Sequence, residues 1–346
     1  MSPQLAAFLA LGFLLPNSAK ASELRPVAAA DELRIEGRAQ GTTYHLRAIG
    51  GGKGNALRTD AVRGRVEAEL HRIDELMSAW RADSEIERFN RSAAGVPFLL
   101  SPENAEILKR SERIWRLTGG AFDPAIGGTI RLWGFGGAAR RSDVPSDEEI
   151  AASLREGGFA NVVRKGRSVV KRAPGLCIDL SGIAQGFAVD RLFDLLRREG
   201  YRSVLVEIGG EVRTGTPPPG ETAWRIGIEE PGGDEGALHA TLAVHDAAVS
   251  TSGDYRSGFN VGGTRYSHVL DPHDGRPIRT GVASATVVAP DSATADALAT
   301  ALMVLGPERA LGVVDKLAHV DCLLLVRGEN GLREVRSPGM SRWTRR

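Results

Sequence analysis

An acidic and a hydroxyl residue lie four positions apart in an otherwise apolar stretch, residues 293–305 (ATADALATALMVL). The spacing of its apolar residues predicts a helix, on which Asp296 and Thr300 share one face, one turn apart. A helix that is apolar on all sides is normally buried, and a buried carboxylate needs a partner because desolvation penalises its charge. Two partners are open: a hard divalent cation such as Mg²⁺, which takes oxygen ligands, or backbone amides, with Thr300 bonding back to its own helix.

A second candidate is the segment 179–190 (DLSGIAQGFAVD), in which a predicted strand ends at Asp179 and a helix begins within the next few residues. Free amides at a helix start, with Gly182 and Gly186 four apart, suit the close approach of a phosphate. The pattern is neither a P-loop nor a dinucleotide-binding fingerprint. The alternative is structural, with Ser181 as a helix cap and the two glycines needed for packing.

Two turns carry further polar side chains. Asp123 follows a Gly-Gly turn in GGAFDP, where its carboxylate either contacts a ligand or caps the next turn. His268 precedes a turn in YSHVLDPHDG. A histidine can act as a general base near neutral pH, but a single one in a strand-like run is more often structural.

The elements that must position these residues follow from periodicity and capping signals. Helices are predicted over 61–77, 102–117 (with Ser101 as cap and Pro102 first), 150–155 (with a Ser146–Glu149 capping box), 184–198 and 293–305. Strands are predicted within 31–49, over 161–163, 168–171, 176–180 and 282–289, and in four runs between 203 and 280. Because strands and helices do not alternate as regular βαβ units, the sequence indicates an α+β fold with a mixed or antiparallel sheet.

Composition limits the classes of function. The 346 residues are 42% apolar, which is enough for a large core. The balance of 44 basic and 43 acidic residues gives no indication of a nucleic-acid-binding or polybasic membrane surface. Cys177 and Cys322 both lie in apolar runs, so we predict two buried thiols rather than a disulfide.

The first residues have features of an export signal. Residues 5–15 (LAAFLALGFLL) form an apolar run too short to span a bilayer, and Ala19-Lys20-Ala21 is a small-x-small cleavage site. We predict a signal peptide over 1–21, cut after Ala21, and a periplasmic or secreted mature protein without an integral membrane segment. A buried first helix is the alternative. A linker at 22–31, one domain at 32–338 and a basic tail at 339–346 complete the predicted organisation.

Eight segments together resemble the ApbE family of flavin transferases. GTTYHL, MSAWRADSEIERFN, GGAFDP, DLSGIAQGFAVD, VEIGGEVRTGT, VSTSGDY, YSHVLDPHDGRP and TADALATALMVLG follow the order typical of that family, between about residues 35 and 322. The resemblance implies a two-lobed T-fold-like architecture with FAD between the lobes. It further implies Mg²⁺-dependent transfer of FMN from FAD to a Ser or Thr hydroxyl of an acceptor protein, with release of AMP. An FAD pyrophosphatase and a non-catalytic flavin-binding or delivery protein need the same cleft and are the alternatives.

The resemblance also implies roles for individual residues. Those implied to bind FAD are Gln40, Trp80, Ala121, Phe122, Asp123, Asp179, Gln185 and Leu270. Those implied to hold the metal are Asp296, Thr300 and the carbonyl of Gly182, with His268 as the candidate base.

Three positions depart from the family pattern. Gln40 stands where Met is usual, and Gln185 stands where Lys, sometimes Glu, is usual. Ala299 replaces an acidic or hydroxyl residue found in some relatives. The loss of the Lys removes a cation near the ligand, whereas the metal pair is intact, so these departures bear on affinity for FAD rather than on the presence of activity.

Overall fold

An eight-stranded antiparallel sheet organises the molecule. The structure is a computed structural model that describes residues 32–50, 56–138, 141, 143–234, 236–255, 258–261 and 263–344. The predicted signal peptide (1–21) and linker (22–31) lie outside the described residues. In spatial order the strands of the large sheet are β1 (Glu32–Ala39), β2 (Thr42–Ile49), β6 (Ser203–Ile208), β7 (Glu211–Thr214), β10 (Ala247–Gly253), β15 (Val282–Ala289), β16 (Asp321–Gly328) and β17 (Gly331–Arg336).

Smaller strand groups and seven helices complete the described part of the fold. The remaining strands are β3 (Phe98–Leu99), β4 (Val162–Lys165) and β5 (Ser168–Lys171) in one sheet, and three pairs: β8 (Trp224–Glu229) with β9 (Leu238–Val244), β11 (Gly258–Val261) with β12 (Thr264–Ser267), and β13 (Leu270–Asp271) with β14 (Arg276–Pro277). The helices are α1 (Ala56–Met77), α2 (Glu85–Asn90), α3 (Pro102–Leu117), α4 (Gly127–Leu132), α5 (Asp147–Glu156), α6 (Ala184–Arg198) and α7 (Ser292–Val314).

Both faces of the large sheet are covered. Successive side chains of a strand point to opposite faces, and β16 shows this directly. Cys322 and Leu324 join the core under the helices, whereas Leu323 and Leu325 join a second core closed by the β8–β9 hairpin and Met340. The central strands of the large sheet are therefore buried on both sides, whereas the edge strands β1 and β17 have exposed residues. The helix-covered side carries α6 and α7.

Most predicted elements are confirmed, and so is the α+β fold with antiparallel sheet. The helix at 184–198 has the predicted bounds, Ser101 caps α3, and both bonds of the capping box between Ser146 and Glu149 are present. The strand predicted at 176–180 is wrong. The backbone of this segment makes hydrogen bonds outside any sheet. The N–H of Asp179 donates to Pro124 O at 2.7 Å, and Cys177 O accepts the N–H of Gly127 at 2.9 Å.

Helix α7 crosses the centre of the core. Among the described helices, α7 alone has the length and apolar composition of a membrane-spanning helix. Most of that stretch is buried inside the fold. The predicted end at Gly306 corresponds to a break, because Gly306 has φ 73° and separates two helical pieces. Glycine tolerates this left-handed conformation without the clash that a Cβ causes.

The two cysteines and the C-terminal residues pack as parts of the fold. Cys177 and Cys322 are free thiols rather than a disulfide, as predicted, but only Cys322 is buried and Cys177 is half-buried. Burial raises the pKa of Cys322 to about 12. Residues 339–344, set apart in the sequence as most of a basic tail, are not a free tail. Met340 is fully buried, and Arg342 donates to the buried carboxylate of Asp321.

Candidate active site

Helices α6 and α7 cap each other through two buried aspartates. Helix α6 has no cap from its own Ncap residue, Ile183, and instead Asp296 of α7 accepts the N–H of Gly186 at 3.0 Å. In return, Asp190 of α6 accepts the N–H groups of Ser292 and Ala293, at 2.9 and 3.1 Å, at the start of α7. Carboxylates at helix starts satisfy amides that have no partner inside the helix.

The backbones of the two helices approach too closely for a side chain at Gly186. A Cβ there would lie 2.4 Å from the carbonyl oxygen of Ser292, well inside van der Waals contact. Gly186 is therefore a packing glycine, and it allows Asp296 to reach the start of α6. Of the two roles that the sequence left open for Gly186, the structure supports packing rather than contact with a phosphate.

Asp296 is buried, and the protein supplies little charge to compensate it. Burial raises the pKa of Asp296 to about 7; the hydrogen bond from Gly186 opposes this rise, and the negative charge of Asp190 adds to it. The negative charge of Asp190, unlike that of Asp296, is compensated by a nearby cation, because Arg213 donates to it at 2.8 Å. Burial still raises the pKa of Asp190 to about 6, with the charge of Arg213 acting against the rise.

A small group of oxygen atoms and one aromatic edge lies one turn further along α7. The Oγ1 of Thr300 is 3.3 Å from the Oγ of Ser252, at the end of β10. The same Oγ1 would lie 3.3 Å from a Cβ on Gly182, and the ring of Phe122 would lie 3.4 Å from that Cβ. The structure thus brings together Gly182 and Thr300, which the resemblance implied as metal ligands, with Phe122, which it implied as an FAD contact, and adds Ser252.

A cavity of about 570 Å³ lies beside the start of α6. It is lined by Gln40, Gly41, Ile73, Asp74, Met77, Ser78, Ala79, Trp80, Arg81, Ser181, Ala184 and Gln185. Three predicted FAD-binding residues from distant segments, Gln40, Trp80 and Gln185, therefore meet in one cavity. The indole of Trp80 is 76% exposed, which leaves a large aromatic face on the rim.

Gln40 enters this cavity from the tip of a hairpin. Strands β1 and β2 are joined by the two residues Gln40 and Gly41, with φ of 52° and 76°, the backbone of a tight hairpin turn. A residue other than glycine is uncommon in this conformation. The Oε1 of Gln40 is buried and has no hydrogen-bond partner among the described residues. A hydrogen-bond donor of a ligand would therefore find an acceptor here.

The start of α6 is not the anion-binding helix terminus that the sequence suggested. The N–H groups of Ile183 and Ala184 both donate to Leu180 O, at 3.0 and 2.8 Å. Those of Ser181 and Gly186 donate to Asp179 and Asp296. The prediction of a row of free amides is therefore wrong at these four positions, because tertiary contacts and a tight turn have used them.

Two of the predicted FAD-binding aspartates brace loops. Asp123 accepts the N–H of Ala125 at 2.8 Å and the N–H of Phe159 at 2.9 Å, and burial raises its pKa to about 6. Asp179 is buried and accepts both the N–H and the hydroxyl of Ser181. Ala121 is also buried beside Phe122, so this loop presents its aromatic residue rather than its carboxylate towards Gly182.

Two further predicted residues lie outside the cavity lining. Leu270 is buried in a small core with Ile126, Trp133 and Ile150, so its side chain is already packed. His268 lies between β12 and β13 and is half-buried, with its ring edge-to-face with Phe135 at 6.4 Å between centroids. Its role as a base stays a prediction.

Comparison with known proteins bears on the whole chain. The model of the ApbE family matches residues 40–324. A relative from Vibrio cholerae named FAD:protein FMN transferase is 37% identical over 311 residues, which are 89% of this chain and 91% of the relative. The chain belongs to the ApbE family.

Solved ApbE structures agree with this assignment. The flavin transferase ApbE from Vibrio cholerae superposes with a TM-score of 0.82 at 36% identity, over 91% of this chain and 99% of that one. The apo form of the flavinyl transferase ApbE from Pseudomonas stutzeri has a TM-score of 0.82 at 34% identity, over 90% and 96%. The predicted ApbE-like architecture is confirmed.

Three polar residues of this ApbE site were not singled out from the sequence. Ser252 lies within the VSTSGDY motif and Asp190 ends DLSGIAQGFAVD, so the family motifs contained a signal for both, but their roles depend on contacts between distant segments. His273 follows the HVLDP motif and reaches the GGAFDP loop, where its Nε2 lies 2.9 Å from Gly119 O. Nothing in its local sequence indicates that contact.

Proposed function

We propose that this chain transfers FMN from FAD to a Ser or Thr hydroxyl of an acceptor protein and releases AMP. One observation carries the proposal: the buried carboxylate of Asp296 contacts the first turn of α6, whose residues Ala184 and Gln185 line the cavity. An aromatic rim and a buried acceptor at Gln40 suit a flavin nucleotide, and a carboxylate at the first turn of α6 suits phosphate chemistry through a cation. The names of the ApbE relatives, FAD:protein FMN transferase and flavin transferase, support the transfer of FMN from FAD to a protein.

The charges around the cavity favour a bound cation. Of the residues that line it, Arg81 alone is a Lys or Arg, and its guanidinium already pairs with Asp74 and Asp83. Four amides at the start of α6 are also used within the protein. A pyrophosphate therefore finds little positive charge among the lining residues, and its negative charge needs compensation from an ion.

The residues next to Asp296 fit magnesium. Asp296, the Thr300 hydroxyl and the Gly182 carbonyl are hard oxygen donors, the type that Mg²⁺ prefers, and Mg²⁺ commonly binds through one or two carboxylates together with substrate phosphates. A cation would also keep Asp296 ionised, because its burial otherwise raises the pKa to about 7. When bound, Mg²⁺ would neutralise charge on the phosphate oxygens and on the departing AMP.

The remaining steps rest on residues of the chain. Trp80 offers an aromatic face for the flavin or adenine ring to stack on, and Phe122 forms a wall beside Gly182. His268 takes the proton of the acceptor hydroxyl as that oxygen attacks the FMN phosphorus. The acceptor segment closes the open side of the cavity and excludes water, which would otherwise hydrolyse FAD to FMN and AMP.

Product analysis tests this proposal. The protein is incubated with FAD and Mg²⁺, with and without a periplasmic flavoprotein that has an exposed Thr-containing segment, and AMP and free FMN are quantified by chromatography. We expect AMP with little free FMN when acceptor is present, and slow release of AMP and FMN in equal amounts when it is absent. Rapid release of free FMN under both conditions would instead identify a pyrophosphatase, and intact FAD under both would identify a binding protein.

We further propose that the chain is exported and that its mature form begins after Ala21, on the basis of the apolar run and the Ala19-Lys20-Ala21 site. Protein recovered from the periplasm of an expressing bacterium should lack residues 1–21, since signal peptidase removes such segments. N-terminal sequencing measures this. An intact Met1 on active protein from the cytoplasm would contradict it.

A further inference from the structure

His273 connects two loops of the site through both of its ring nitrogens. Its Nδ1 lies 2.7 Å from Oδ1 of Asp271, and its Nε2 lies 2.9 Å from the carbonyl oxygen of Gly119. A carboxylate and a carbonyl oxygen only accept hydrogen bonds, so each ring nitrogen must donate. Neutral imidazole has one N–H, and only the imidazolium form has two. Both contacts therefore exist together only when His273 carries two protons.

The loop that His273 holds forms a wall of the site. Gly119 and Gly120 follow α3 with φ of 62° and 89°, and a Cβ on Gly120 would lie 3.5 Å from Nε2 of His273. Two residues later Phe122 packs beside Gly182 and Thr300. Asp123 braces the far end of the loop through Ala125 and Phe159. The N–H groups of Gly120 and Phe122 tie its near end to the end of α3, by donating to Trp115 O at 2.8 Å and to Thr118 Oγ1 at 3.2 Å. His273 adds the contact that joins this end to Asp271 of β13.

The groups around His273 favour its charged form on balance. The carboxylate of Asp271 bonds to it, and Asp123 on the held loop interacts with it as an opposite charge. Arg309 of α7 opposes protonation, and burial opposes it more strongly. The contacts with Gly119 and Asp271 outweigh both, and the pKa of His273 is raised above its ordinary value of 6.5.

We propose that doubly protonated His273 is a positioning residue that holds the Gly119–Asp123 loop against the FAD site, and that loss of its second proton loosens this wall. This inference rests on the proposed function, because it treats Phe122 as a wall of the flavin site. A group with a raised pKa contributes its stabilisation fully at low pH and loses it as pH rises through that pKa. The contact therefore weakens on the alkaline side, above about pH 6.5.

The test is the affinity for FAD, measured between pH 6 and pH 9 in the absence of acceptor. Binding is monitored by the quenching of flavin fluorescence. The wild type should bind FAD about tenfold more weakly at pH 9 than at pH 6, the effect of losing one charge-assisted hydrogen bond. His273→Lys, whose ammonium stays protonated through this range, should bind with little pH dependence. His273→Gln keeps Asp123 and Asp296, whose pKa values of about 6 and about 7 also fall near this range. It should bind weakly throughout and lack the alkaline loss of the wild type beyond what those two groups contribute.

A control variant and two contrary results complete this test. His245→Gln, at an exposed histidine in a different cavity, should keep the pH dependence of the wild type. A wild-type affinity that is flat from pH 6 to 9, or an alkaline loss of wild-type size that persists in His273→Gln, would overturn the proposal. Because the readout is binding, an absence of FMN transfer would contradict the proposed function and leave this test valid.

Discussion

Replacing Asp296 with Asn should lower FMN transfer by about 10³-fold or more while the protein stays folded. The predicted metal site has one carboxylate, and Ala299 beside it offers no substitute ligand. Loss of the ion removes several kcal/mol of charge stabilisation in the transition state, and about 4 kcal/mol corresponds to roughly 10³-fold in rate. Asn can still accept the Gly186 N–H, so the cap of α6 is kept.

Rates should be measured together with thermal unfolding in Mg²⁺ and in chelator. The wild type should lose activity in chelator, recover it with Mg²⁺, and unfold at a higher temperature with Mg²⁺ and FAD present, because ligands that bind the native state stabilise it. Asp296→Asn should show no such gain. The matched control is Asp291→Asn, one turn earlier in the chain, where Asn caps α7 as well as Asp does. Full activity of the wild type in chelator would eliminate the metal assignment.

His268→Ala should keep FAD binding and lose transfer by about 10²- to 10⁴-fold, the usual contribution of a general acid–base group. The half-buried ring stands edge-to-face with Phe135, so removing it alters a local contact but no large core. The quantities to compare are the single-turnover rate with acceptor and the affinity for FAD.

His245→Ala is the control for this test, because that ring is exposed and lines a different cavity. Loss of FAD binding or of folding in His268→Ala would show that His268 is structural and that the base lies elsewhere. Unchanged transfer would remove it from the mechanism altogether.

Local signals in the sequence predicted the helices well. The bounds of α6 and the caps of α3 and α5 depend on residues within one or two turns, and those residues are visible in the sequence. The strand predicted at 176–180 is wrong because an apolar run cannot show that its backbone partners are Pro124 in a loop and Gly127 at the start of α4. Such pairing depends on tertiary structure rather than on local propensity.

The site was predicted in its residue types and only partly in their roles. Asp296 is buried and Thr300 half-buried on α7, and of the two alternatives for Asp296 the structure shows the bond from a backbone amide, at the start of α6. Its role as a metal ligand stays a prediction. Asp123 and Asp179 each accept an amide two residues further along the chain, which is the turn-capping alternative that the sequence offered for Asp123. The second bond of Asp123, from the N–H of Phe159, joins segments 36 residues apart and has no local signal. His273 was missed because its partner Gly119 is 154 residues away.

The covalent product decides the central claim most directly. An acceptor protein is incubated with this chain, FAD and Mg²⁺. Mass spectrometry gives the intact mass of the acceptor and the masses of its fragmented peptides, and the AMP released is quantified. In the proposed reaction the metal activates a phosphorus rather than the isoalloxazine ring, so we predict one FMN joined through a phosphoester to a Ser or Thr, with one AMP released per flavin attached. Flavin joined through a ring carbon to His or Cys, or an acceptor of unchanged mass while FAD is consumed, would contradict this account.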